Sequence, residues 1–269
     1  MVCSKFYMRK AQISFILVVV VVILLLVGFW FYAFSVKSRQ QTQRALEGQE
    51  GVFDVEGVRG FVTSCLHKQL TDALIAFGLV GGKNGFFSEF FVYTDKYRIP
   101  YYYITNDDLS PGRVLMPQKD VVEKQILARY IKDTLKKCTN HFEAVKGLMI
   151  EDGDVTADVQ INVADVSAVV HYPVTISQGG KRTVLDSFSV KISSRLSTIL
   201  NISQTIVDKT LAHEDIVYWD YLTDVTLLGF NITAHAERNH TILYRILDPQ
   251  SKVYADPYMF QFAVKVRVK

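Results

Sequence analysis

Apolar positions along this chain change their period twice, and each change marks an element boundary. From Ala11 to Val36 there is no charged residue, and the centre from Val18 to Val27 is continuously apolar with no polar face. Residues 36 to 52 are polar and Gln-rich, which predicts a stalk, helical at first and ended by Gly48 or Gly51. Val58, Phe61, Val62, Cys65, Leu66, Leu70, Ala73, Leu74 and Phe77 then recur at steps of three and four, predicting an amphipathic helix that closes near Gly78. An aromatic run from Phe86 to Tyr103 predicts two strands around Asp95-Lys96. After the Ser110-Pro111-Gly112 turn, Val122, Ile126, Tyr130, Ile131, Leu135, Cys138 and Phe142 mark a second helix. Its late lysines, Lys132, Lys136 and Lys137, suit the negative pole of the macrodipole.

Beyond Gly147 the period drops from about 3.6 to 2. Val155, Ala157, Val159, Ile161 and Val163 alternate with polar residues, Val166 to Val174 continue the alternation, and Gly179-Gly180 turns the chain into Thr183 to Lys191. This is a three-stranded meander. Ser193 is placed to cap a third helix with Leu196, Ile199, Leu200, Ile206, Val207 and Leu211 on one face and Asn201 off that face. A short helix or turn at Ile216 to Leu222 precedes strands near Leu227 to Ala234, Thr241 to Asp248 and Phe260 to Arg267. The fold class predicted is α+β, mainly antiparallel sheet with three principal amphipathic helices behind an N-terminal transmembrane helix and stalk.

At roughly 1.5 Å per residue, Ile13 to Phe34 would span about 33 Å, enough for the hydrocarbon core of a bilayer. Trp30 and Tyr32 suit its interfacial belt. A cleaved secretory signal would have a shorter apolar region ending in small residues, whereas this run ends Phe29-Trp30-Phe31-Tyr32. Lys5, Arg9 and Lys10 before the run are matched by Lys37, Arg39 and Arg44 after it, so flanking charge leaves the orientation tied. Three Asn-x-Ser/Thr sequons, at Asn201, Asn231 and Asn239, favour an extracytoplasmic C-terminal part. The net charge of +3 resides in the first ten residues, and a neutral body argues against a nucleic-acid partner. With 49% hydrophobic residues the 269-residue chain is too apolar to be disordered.

Arg9-Lys10-Ala11-Gln12-Ile13-Ser14, followed at once by the apolar run, resembles the class III signal peptide of archaeal type IV pilins and related surface proteins. The resemblance covers about the first 35 residues. It implies cleavage after Ala11, a mature chain beginning at Gln12, and an apolar helix retained either in lipid or in the core of a filament. Many bacterial pilins carry Glu at the fifth mature position, where this chain has Ile16. The expected layout is a leader over 1–11, a membrane helix over 12–35, a stalk over 36–52 and an α+β domain over 53–269.

Candidate chemistry is sparse. Cys65 and Cys138 each lie on the apolar face of a predicted helix, so packing those helices together would join them in a disulfide. Closing that loop would contribute about 4 kcal/mol in the chain-entropy model and requires an oxidising compartment. Phe87, Phe91, Tyr93, Tyr101 and Tyr103 are the candidate binding surface for a protein or glycan, because both faces of the hairpin carry rings and only one can face a core. Burial under the helices is the alternative. The loop Gly78 to Gly85 has one residue too few for a phosphate loop and Asn84 where Ser/Thr belongs. Glu151-Asp152-Gly153-Asp154 reads as a turn leading into a strand rather than a calcium loop, and the six histidines have no zinc spacing. No cofactor or metal site is expected, and no Gly-x-Ser-x-Gly elbow is present.

The leading expectation is a single-pass, membrane-anchored protein with its C-terminal domain outside the cytoplasm. It would act by binding or assembly, as a pilin-like subunit or a surface protein with a protein, glycan or self partner. The rival is an envelope hydrolase using His213, Glu214 or Asp215.

Overall fold

A computed structural model describes residues 55–81, 90–94, 96–105, 112–143, 145, 147–213, 217–253 and 256–267. The leader with its Ala11-Gln12 bond, the apolar run and the stalk lie outside them, as do Gly82 to Gly85, Phe87, Asn106 to Asp108, Glu214 and Asp215. No helix among the described residues is long and apolar enough to cross a membrane. The described residues all belong to one compact unit. Among the described residues the architecture is α+β, with two antiparallel-rich sheets and four helices.

Helix α1, Val55–Val80, buries Val58, Val62, Cys65, Leu66, Leu70, Ala73, Leu74 and Phe77 of the stripe its spacing predicts, with Phe61 half-buried at its margin. It runs through Gly78 instead of closing there. The Met259 carbonyl and the Tyr258 ring stand where a Cβ on Gly78 would sit, so that glycine is a packing requirement. Tyr258 donates its hydroxyl proton to the Leu74 carbonyl at 3.0 Å, and Gln261 Nε2 donates to the Leu79 carbonyl at 3.2 Å. Gly81, at φ +54°, ends the helix in a conformation that disfavours a Cβ.

Short strands β1 (Phe91–Tyr93), β2 (Arg98–Ile104) and β3 (Arg113–Val114) precede helix α2, Lys119–Thr139. The helix is continuous but contains a π turn over Val122–Leu127. The sequence stripe placed Ile126 and Tyr130 inward; both are half-buried, and Leu127 takes the core position five residues after Val122. Ordinary steps of four then bury Ile131, Leu135 and Thr139. The wider turn also lets Glu123 Oε1 accept the Ile161 N–H at 2.7 Å, tying the helix to the first meander.

That meander comprises β4 (Met149–Asp152), β5 (Thr156–Ile161), β6 (Asp165–Gln178) and β7 (Lys181–Ser193). β4 and β5 share one side of the long β6, and β7 pairs along the other. Asp152 therefore lies in a strand of its own, not in a turn as its acidic neighbours suggested. Helices α3 (Leu196–Ala212) and α4 (Trp219–Leu227) connect to β8 (Asn231–Glu237), β9 (Thr241–Val253) and β10 (Asp256–Lys265). The first helix starts later than expected: Ser193 ends β7 and makes no cap, and Arg195 holds the N-cap position. β8 also starts later, because α4 extends to Leu227 and the chain turns at Leu228-Gly229.

The second sheet is ordered β1-β2-β10-β9-β8, with β3 on the end of β2. All its pairings are antiparallel except β2 with β10, which is parallel. One large core joins α1, α2 and α3 to the inner faces of both sheets, and a small satellite core of Ile99, Leu243 and Ala263 lies under Val92, Tyr97 and Tyr101.

Candidate functional site: an aromatic and arginine hairpin edge

The hairpin β1-β2 closes through Thr94, whose N–H donates to the Tyr97 carbonyl at 2.9 Å and whose hydroxyl accepts the Tyr97 N–H. This register sets Tyr93 opposite Arg98 and Phe91 opposite Pro100. The Arg98 guanidinium lies 5.4 Å above the Phe91 ring and 5.2 Å from Tyr93, and the two rings meet edge to face at 5.1 Å. On the adjoining strand Arg113 stands 5.6 Å from the Phe90 ring. Tyr93 is 66% exposed and Phe90 40%. Arg98 and Arg113 are both exposed beside these rings, so the edge offers cationic donors next to apolar rings. Such a surface suits a hydroxyl-rich or acidic ligand with an apolar face.

The candidate rings identified from the sequence divide accordingly. Phe91 and Tyr93 form this surface. Tyr101 is half-buried, its hydroxyl bonded to Thr241 Oγ1 at 2.7 Å. Tyr103 is fully buried and offers no surface to a partner, and Tyr102 is buried beside it, stacked on Phe262 at 4.9 Å. Adjacent residues of β2 point to opposite faces, and the burial of both Tyr102 and Tyr103 shows that both faces are covered there. Arg98 and Arg113 escaped notice because their role depends on cross-strand position. Pairing the strands across Thr94 to Tyr97 would have found Arg98.

Two carboxylate networks lie elsewhere in the domain. Helix α2 ends in a left-handed turn at Asn140, His141 and Phe142, with φ of 45°, 49° and 61°. His141 Nδ1 lies 3.3 Å from Asp152 Oδ1, and Tyr172 donates its hydroxyl proton to Asp152 Oδ2 at 2.8 Å. Lys136 Nζ is 3.8 Å from the same carboxylate. Burial alone would raise the Asp152 carboxyl, but the Tyr172 and His141 hydrogen bonds and the Lys136 charge outweigh it and hold it below its usual range. Burial, reinforced by Asp152, pushes the Tyr172 phenol well up. Phe142 folds back from the turn to stack on Tyr172 at 6.2 Å and meet Phe61 at 6.1 Å.

The second network centres on Asp248, which is fully buried. Arg195 grips both its oxygens, Ser251 donates its hydroxyl proton to Oδ2, and the Gln250 N–H donates to Oδ1 at 3.0 Å. Burial again opposes the charge, and the Arg195, Ser251 and Gln250 bonds hold the carboxyl low. Arg195 also donates to the Leu228 carbonyl at 3.1 Å and lies 3.9 Å over the Phe230 ring. Every oxygen of this carboxylate is occupied by the fold, which leaves it no role toward a ligand.

Cys65 and Cys138 are joined as a disulfide, with Cα atoms 5.7 Å apart. Among the described residues no group of histidine, cysteine and carboxylate side chains is placed to hold a metal ion. His213, the described member of the expected hydrolase trio, is exposed and meets the Tyr218 ring at 6.2 Å. Asn201, Asn231 and Asn239 are all exposed. No family model, curated protein or solved structure matches this chain.

Proposed function

We propose that this chain is a single-pass, N-terminally anchored protein whose α+β domain stands outside the cytoplasm and acts by binding or assembly. Residues 12–35 anchor it in the bilayer, and residues 36–52 are its stalk. The hairpin edge of Phe90, Phe91, Tyr93, Arg98 and Arg113 is the contact surface for a cell-surface protein or glycan. The class III-like N-terminus favours processing after Ala11 and pilin-like assembly through the helix from Gln12. The observation that carries the reading is the Cys65–Cys138 disulfide in a domain that follows an uncharged apolar run, because a disulfide persists where thiols are not kept reduced.

Protease added to intact cells tests it: the region from Gly51 onward is digested, while the same region in an inside-out vesicle is spared. Protection on intact cells with free Cys65 and Cys138 thiols would overturn the reading. Arg98→Ala and Tyr93→Ala should abolish partner capture while leaving stability within about 0.5 kcal/mol, as for exposed positions away from a core. An intact Met1 on the purified protein would remove the processing step.

A hydrolase is the second reading, favoured by one observation: His141, Asp152 and Tyr172 form a hydrogen-bonded array with an exposed imidazole. His141→Ala leaving every envelope hydrolase phenotype intact would eliminate it.

A further inference from the structure

We infer that Asn231 is the sequon asparagine that the folded domain offers for N-glycosylation, and that its sugar shields the outer edge of the second sheet. This rests on the extracytoplasmic reading above. N-glycan transfer reads the asparagine carboxamide and the hydroxyl two residues on as one unit, so both must face the enzyme. Backbone geometry decides where that holds. Two residues on a helix are turned by about 200°, whereas two residues on a strand return to the same face.

The three sequons follow that rule. Asn201 is on the exposed face of α3, but Ser203 is fully buried and donates its hydroxyl proton to the Ile199 carbonyl at 2.9 Å. Asn239 stands in the β8-β9 turn at φ 57°, but Thr241 is 1% exposed and its Oγ1 is held against Tyr101 Oη at 2.7 Å. Asn231 and Thr233 both lie on the exposed face of β8, opposite half-buried Leu247 and exposed Arg245 of β9. Among the described residues β8 is the last strand in its sheet, bonded to β9 on one side only, so its outer N–H and C=O groups are a template for another chain. A glycan at the start of that strand covers the template.

The donor class is a polyprenyl pyrophosphate-linked oligosaccharide. The Asn231 Nδ2–C1 bond forms as the C1–O bond to pyrophosphate breaks. The amide proton passes to a base of the transferase, and polyprenyl pyrophosphate leaves with the electron pair.

The test uses the full chain, purified in detergent from a host without N-glycosylation, with its disulfide verified. It is incubated with an oligosaccharyltransferase and lipid-linked donor, and glycopeptides are read by mass spectrometry. Peptides spanning each sequon serve as controls, and all three accept. On the folded chain Asn231 is occupied at least about tenfold more than Asn201 or Asn239, because modifying those requires local opening of α3 or of the β9 start. Thr233→Ala abolishes the modification, Thr233→Ser retains it, and Ser203→Ala and Thr241→Ser leave the pattern unchanged. Equal occupancy at the three sites, or an unmodified Asn231 beside accepting peptides, overturns the inference. Failure of the compartment reading looks different: chain from native cells carries no sugar and has free thiols, while the selectivity in vitro persists.

Discussion

The two buried-edge carboxylates, Asp248 and Asp152, have the same charge and the same direction of pKa shift but opposite relations to the rest of the molecule. Asp248 is sealed: a guanidinium, a hydroxyl and a backbone N–H occupy it, and those donors come from the start of α3 and from its own strand. It fixes α3 and the α4-β8 turn against β9. Asp152 sits at the margin of the first meander, where its histidine partner is 68% exposed and is carried on left-handed backbone. A closed network rigidifies, because removing one member strands another without solvent. An open one lets water replace whatever is lost.

The largest effect should separate them directly. Asp248→Asn should destabilise the domain by about 3–5 kcal/mol, since it leaves the Arg195 charge without its partner, and urea unfolding measures this. Asp152→Asn should cost about 1 kcal/mol, in the range of a single hydrogen bond. Equal losses would erase the distinction. Next in size, Cys138→Ser should lower stability by about 2–4 kcal/mol by releasing a loop of 73 residues, seen as a lower urea midpoint under non-reducing conditions.

Acid sharpens the contrast further. Both carboxyls are held below their unfolded value of about 4, so each contributes stability that is complete above that pH and is lost as pH falls through the folded value. Melting temperature scanned from neutral to acid should therefore fall less steeply below about pH 4 in Asp248→Asn than in wild type, with a smaller flattening in Asp152→Asn. The smallest effect concerns the turn. His141→Gly and His141→Ala both lose the imidazole, but glycine should be more stable by about 1 kcal/mol because it adopts positive φ without a Cβ penalty. Chemical denaturation of the pair isolates that strain.

Much of the fold was legible because period alone determines it. The switch after Gly147 located β5, β6 and β7, and the stripe from Val58 to Phe77 located α1. The Cys65–Cys138 pair followed from two apolar faces. Three features resisted reading for physical reasons. The π turn replaces a step of four by one of five between Val122 and Leu127, so a regular template names the wrong inward residues. The left-handed turn breaks the helix at Asn140 while Phe142 stays buried, so burial gives no sign that the helix has ended. Arg195 and Asp248 lie 53 positions apart and meet only through tertiary packing. At the hairpin the density of rings was visible, but Tyr102 and Tyr103, on opposite faces of β2, are both buried, because that strand is covered on its two sides.

The parallel pairing of β2 with β10 has a consequence for how the protein is made. Strand β2 emerges from the ribosome well before its parallel neighbour β10, and the end of α1 likewise waits for Tyr258 and Gln261 to arrive. Such distant partners make for slow acquisition of structure. The first meander can assemble while translation continues, but the aromatic core around Phe260 and Phe262 stays open until β10 has been delivered. A chain truncated before β10 should accordingly be recognised by quality control as unfinished.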